Sequence, residues 1–267
     1  MTFFEIREYT AKDIPDLNRL WQESFGDPPS LIDRFFELLP SMGTGLVAVH
    51  GREIIGAAYV LSAELSGEKP AVSLGYIYAV AVTPRWRSNG VGAELTRACM
   101  RHSWAHGAQL CCTLPAEPKL YDWYKKISGL EIVSCCTEET VSPSDKDADI
   151  REIPADEYGF RRQDILKPGR YVDFYYGYLQ FQETICKAYG GGMFACGEGI
   201  ACGYLDGDTL LVKEALNDAP EFIPALCRKL GAKKALVRRS AASGKPFICA
   251  YEPVVFPADA VWDLALD

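Results

Sequence analysis

Residues 76–93 read YIYAVAVTPRWRSNGVGA, and their order decides the fold. An apolar run rich in Tyr, Ile and Val ends at Pro84. A short segment carrying Arg85 and Arg87 follows, then Gly90 and Gly92, then the helical pattern AELTRACMRHSWAHG (93–107). That order predicts a strand, a loop and a helix start. Glycine lets backbone approach a ligand without a Cβ in the way. The first N–H groups of a helix have no intrahelical partner and, with the helix dipole, favour an anion. Arg85 or Arg87 can add a charge-assisted bond to a phosphate. The physical reading is a pyrophosphate cradle at a strand-to-helix junction.

The flanking sequence alternates. FFEIREY (3–9) predicts a strand. AKDIPDLNRLWQESFG (11–26) carries apolar residues at 14, 17, 20, 21 and 25, a helical stripe ended by Gly26. SLIDRFFELL (30–39), after Pro28 and Pro29, predicts a second helix. Residues 45–65 predict two strands about a turn at Gly51-Arg52, and AVSLGYIYAVAV (71–82) a long strand. AQLCCTL (108–114), a helix at 117–128 and the strand LEIVSCC (130–136) complete a central sheet with helices on both faces.

Arg87-Ser88-Asn89-Gly90-Val91-Gly92-Ala93 resembles the R/Q-x-x-G-x-G/A signature of the GNAT acyl-CoA N-acyltransferases, with Val82-Thr83-Pro84 as its lead-in. LYDWYKKISGLE (120–131) resembles the family's Tyr-x-Lys-x-Gly-Phe segment, with one extra residue before Gly129 and Leu130 in place of Phe. The resemblance covers residues 3–137. It implies an α/β (α+β) fold whose central sheet is mixed and mostly antiparallel, and transfer of an acyl group, most simply acetyl from acetyl-CoA, to an amine. It implies that backbone groups of Val80, Ala81 and Val82 bind the pantetheine arm, with an oxyanion donor near Val80. Residues 87–93 would hold the pyrophosphate.

Tyr124 aligns with the family's general acid, and an ordinary tyrosine is protonated at neutral pH. Tyr121 stands one turn earlier in reserve. Where several relatives carry a base glutamate, this chain has Tyr76, on the same strand face as Tyr78. Either could line the acceptor pocket or hold water. The base is then an ordered water or a carboxylate from the other half, with Asp267 the candidate.

SPSDKDADIREIPADE (142–157) reads as a linker, dividing a catalytic domain (1–141) from a second domain (158–267). In the latter, 170–190 predicts a helix with an aromatic stripe, 191–216 three strands, 219–231 a helix and 233–240 a strand. That order resembles a degenerate GNAT-like domain. Leu216-Asn217-Asp218-Ala219-Pro220 stands where a phosphate loop would be needed, so the second half is expected to bind no coenzyme A and to shape the acceptor site.

The remaining composition excludes other classes. A net charge of −8 argues against nucleic acid, and no apolar run reaches the length of a membrane span. The N-terminus lacks the basic region of a secretory signal, which points to the cytoplasm. Ten cysteines include the vicinal pairs Cys111-Cys112 and Cys135-Cys136 and no C-x-x-C, so they are expected as reduced, buried apolar groups. His50, His102 and His106 offer no third ligand to complete a metal site. No metal is expected, and a homo-oligomer is compatible with the composition. The alternative function is a catalytically silent acyl-CoA-binding regulatory module.

Overall fold

The computed structural model describes residues 3–67, 70–251 and 257–266. The first half runs β1 (Glu5–Glu8), α1 (Ile14–Phe25), α2 (Pro29–Met42), β2 (Gly43–His50), β3 (Glu53–Ser66), β4 (Val72–Val82), α3 (Val91–Ala105), β5 (Leu110–Thr113), α4 (Pro118–Ser128), β6 (Glu131–Ile132) and β7 (Cys135–Val141). The second runs β8 (Ile150–Glu152), α5 (Ala155–Leu166), β9 (Tyr171–Phe174), α6 (Tyr176–Ala188), β10 (Gly192–Cys196), β11 (Gly199–Asp206), β12 (Thr209–Leu216), α7 (Phe222–Lys229), β13 (Lys234–Ala241), β14 (Lys245–Pro246) and β15 (Cys249–Tyr251). The expected α/β class holds: two mixed, mostly antiparallel sheets, with helices packed on them.

The two sheets have the same plan. The first is ordered β1-β2-β3-β4-β5-β15-β6 and the second β8-β10-β11-β12-β13-β7-β14. In each, the fourth and fifth strands are parallel and every other neighbouring pair is antiparallel. Each sheet also takes its sixth strand from the other half. β7 follows β6 in sequence yet pairs with β13 and β14, and β15 follows β14 yet pairs with β5 and β6.

Three sequence expectations change. The linker at 142–157 contains β8, whose Ile150 pairs with Cys196 of β10, and the first turn of α5. A cut at 141 therefore divides both sheets. The strand expected at 130–136 breaks at Val133-Ser134, because its two ends belong to different sheets. The helix expected at 170–190 begins only at Tyr176. β3 extends past its pairing with β2, which stops at Leu61, and the exposed edge at Ala63–Ser66 takes up Tyr171–Phe174 as β9. An unpaired strand edge is a template for another strand, which outweighs the helical stripe.

The largest core joins both halves, from Leu17, Trp21 and Phe35 through Tyr76 and Tyr178 to Trp262 and Leu266. The closing segment 257–266 is held within it by polar bonds. Tyr76 Oη donates to Leu266 O at 2.7 Å, Tyr178 Oη to Leu264 O at 2.7 Å, and Arg238 Nη2 to Asp263 O at 2.7 Å. Buried donors with buried acceptors avoid the cost of unsatisfied groups.

Candidate active site

β4 and β5 pair only from Leu74–Ile77 with Leu110–Thr113. Beyond Ile77, β4 continues to Val82 with no strand partner on that side among the described residues, so its backbone is open where the strands part. Opposite, Tyr59 pairs with Tyr78 and Ala57 with Ala81, leaving Ala58 facing both Ala79 and Val80. This is a β-bulge, and Ala79 takes φ 48° to make it. Bulges re-aim backbone groups beside functional sites.

The strand ends at a single turn of 3-10 helix, Pro84–Trp86, and the loop then winds into α3. Ser88 (φ 64°) and Gly90 (φ 81°) are left-handed, a conformation strained for residues with a Cβ. Glu94 N–H makes the helical bond to Gly90 O at 3.0 Å, so the N–H groups of Val91, Gly92 and Ala93 precede the first helical donor and have no intrahelical acceptor. A Cβ built on Gly92 would meet Val82 at 3.5 Å and Trp123 at 3.7 Å, ordinary contact distances. The protein's own packing therefore does not demand glycine there. A ligand lying on the helix start would, because that Cβ would enter its space.

A cleft of about 840 Å³ joins these parts. Val80, Ala81, Val82, Arg87, Ser88, Gly90, Val91, Gly92 and Ala93 line it, and Tyr124 stands in its wall. Asn89 serves the loop, donating Nδ2–H to Arg87 O at 3.0 Å. Arg87 folds back to give Nε–H to Val82 O at 3.1 Å, whereas Arg85 turns away to pair with Glu53. Glu117, Lys119, Trp86 and Trp123 also line the cleft and carried no sequence signal of their own. Trp123 and Lys119 flank the tyrosine motif, and only the helix they share places them.

Tyr124 lies beside the Thr113 hydroxyl at the fork. Burial pushes its own hydroxyl up to about 12, with a side-chain hydrogen bond to Thr113 opposing. Tyr121 is absent from the cleft lining. It donates to Pro246 O at 2.8 Å and Phe247 O at 3.0 Å, so it pins the segment leading into β15. Tyr76 also differs from expectation. It is buried, burial drives its hydroxyl well above the ordinary tyrosine range, and its proton goes to Leu266 O. It neither lines the cleft nor can serve as a base, and acts instead as an anchor for the closing segment. Tyr78 is half-buried against Trp21 and Phe35. Asp267 lies outside the described residues.

His102 and His106 stack at 4.0 Å at the far end of α3, and among the described residues no group of three or more His, Cys, Asp or Glu could hold a metal ion. Nor, among them, is any helix long and apolar enough to cross a membrane.

The open strand edge, the glycine-marked helix start and the tyrosine thus meet in one cleft. Residues 5–124 match the acetyltransferase (GNAT) domain family. The fold extends beyond it to solved structures. A conserved protein of unknown function from Enterococcus faecalis is 13% identical with a TM-score of 0.72, over 93% of this chain and 72% of that one. A GCN5-related N-acetyltransferase from Kribbella flavida is 15% identical, TM-score 0.68, over 93% and 70%. Another, from Anabaena variabilis, is 12% identical, TM-score 0.69, over 93% and 72%. At these identities the likeness is one of fold. No curated protein matches the sequence.

Proposed function

We propose that this protein is an acyl-CoA-dependent N-acyltransferase that moves acetyl from acetyl-CoA to an amine. The observation that carries the reading is the one cleft that joins the open edge of β4 to the free N–H groups of α3, with Tyr124 in its wall. The N–H groups of Val91, Gly92 and Ala93 receive the pyrophosphate, with Arg87 beside them and the loop of Ser88, Asn89 and Gly90 shaping the approach. Val80, Ala81 and Val82 carry the strand along the cleft, where backbone groups on the side of β4 away from β3 meet the pantetheine amides.

Held there, the thioester lies along the bulge, where an N–H near Val80 stabilises the oxyanion formed as the amine attacks. The amine must arrive unprotonated, losing its proton to ordered water or to Asp267. Collapse of the tetrahedral intermediate expels the thiolate. Tyr124, kept neutral by burial, supplies its proton or a hydrogen bond. Acceptor selectivity falls to the second half, which shares the first sheet's strand order. Its connection from β12 to α7, Asn217–Glu221, lacks the glycine pair that marks a phosphate loop.

The test is consumption of acetyl-CoA against a panel of polyamines, amino acids, aminoglycosides and peptide N-termini, followed as thiol release. Amine-dependent thiol release with a matching acetylated product supports the reading. Tight acetyl-CoA binding with no turnover on any amine would favour a silent acyl-CoA-binding module.

A further inference from the structure

The ten cysteines are free thiols, and most are kept apart by the fold. Vicinal Cys111 and Cys112 point to opposite faces of β5, one into each of two core clusters. Cys186 and Cys202 are different. Cys186 lies on α6, Cys202 lies on β11, and their sulfurs are 3.5 Å apart in the core that joins helix to sheet. Gln182 Nε2 reaches Cys186 Sγ at 3.5 Å. A disulfide has its sulfurs about 2.05 Å apart, so closure asks for roughly 1.5 Å of movement, within reach of side-chain rotation and a small helix shift.

We infer that Cys186 and Cys202 form a dithiol–disulfide site, closed by a small peroxide, that covalently joins α6 to β11. The two sulfurs have different roles. The Cys202 hydrogen bond lowers the Cys186 thiol below its usual value, with the Gln182 hydrogen bond assisting against burial. Cys202 is pushed well above it. Gln182 Nε2–H points at the Cys186 sulfur, and a donor to sulfur favours its thiolate, so Cys186 takes the attacking role and Cys202 the resolving one. The Cys186 thiolate attacks one peroxide oxygen, the O–O bond breaks, and a water leaves once protonated, giving a sulfenic acid. Cys202 sulfur then attacks Cys186 sulfur. The S–O bond breaks, and a second water departs with the Cys202 proton. Two thiols are oxidised and one peroxide is reduced to two waters. Both sulfurs are fully buried, so the oxidant enters through local opening at the C-terminal end of α6.

The test uses the reduced full-length protein, titrated with hydrogen peroxide, alkylated in denaturant and mapped by peptide mass spectrometry. The expected map shows one disulfide, Cys186 to Cys202, reversed by dithiothreitol. The melting temperature should rise by roughly 5 °C, as for a disulfide closing a short loop. A Cys202→Ala variant should leave Cys186 as a sulfenic acid that dimedone captures. If the partly exposed Cys135 and Cys196 oxidise while Cys186 and Cys202 both take the alkyl label, the inference fails. It fails equally if the disulfide uses any other cysteine. The wild-type map alone decides should the variant not fold.

Discussion

Thr113 donates its hydroxyl to the carbonyl of Ile77 across 2.8 Å, at the last rung where β4 and β5 still pair. One side chain thus closes the ladder at the point where the cleft begins, and the same hydroxyl neighbours Tyr124. Replacing it tests the first of these jobs. Thr113→Val leaves a buried carbonyl unpaired and should cost about 1–3 kcal/mol. Thr113→Ser should restore most of that. Urea unfolding of the two variants measures the difference.

Gly92→Asp places a carboxylate where the α3 N–H groups converge. The neighbouring contacts at 3.5 and 3.7 Å leave room for the side chain, so the fold should persist. Coenzyme A affinity should fall at least about tenfold, the scale of one displaced charge-assisted contact. Calorimetry on the folded variant returning wild-type affinity would remove the phosphate assignment from this loop.

Tyr124→Phe deletes one hydroxyl and almost no volume. Turnover should fall about a hundredfold with cofactor affinity unchanged, the range for lost acid catalysis. An acid must be protonated to act, so its activity is lost as pH rises through its own value. Burial puts that value at about 12, so between neutrality and mild alkalinity the wild-type profile should show no decline from Tyr124. A basic limb well below that, abolished in Tyr124→Phe, would contradict it.

Asp263 is buried, accepting from the Ser240 hydroxyl at 2.6 Å, and burial raises its carboxyl from 3.8 to about 6. The folded state therefore holds this proton more tightly than the unfolded chain. Its contribution to stability is fully present below the unfolded value and is lost as pH rises through about 6. Asp263→Asn keeps an acceptor for Ser240 and cannot ionise. Its melting temperature should depend less on pH across that window than the wild type's, and parallel curves would refute the assignment.

The fragment 1–141 tests the strand exchange. It contains β7, which belongs to the second sheet, and lacks β15, which belongs between β5 and β6. It should be insoluble or lack cooperative unfolding by circular dichroism. A fragment that unfolds cooperatively and binds coenzyme A would mean that the first sheet closes without β15.

The glycine loop proposed to hold the pyrophosphate was readable because its determinants are local. Gly90 and Gly92 announce the helix start within a few residues of Arg87, and Tyr124 comes with its own short motif. What stayed hidden depends on partners far away in sequence. Nothing around Tyr76 signals that its hydroxyl will meet Leu266, and the apolar run Leu130–Cys136 gives no sign that two sheets divide it. Residues 171–174 carry helical periodicity, and only the overhanging edge of β3 makes them a strand. Side chains such as Trp123 and Lys119 join the cleft through the placement of α4, which no local pattern encodes.

The reciprocal placement of β7 and β15 also bears on how the protein is made. At about 5–20 residues per second, Cys249 leaves the ribosome several seconds after Val141. Throughout that interval the seat between β5 and β6 has no occupant, and β7 waits for β13 and β14 to be synthesised. The nascent first half therefore holds exposed strand edges on β5, β6 and β7 until β13–β15 have been made. Slower translation between β7 and β15 would lengthen that interval, and with it the time in which these edges can pair with another chain.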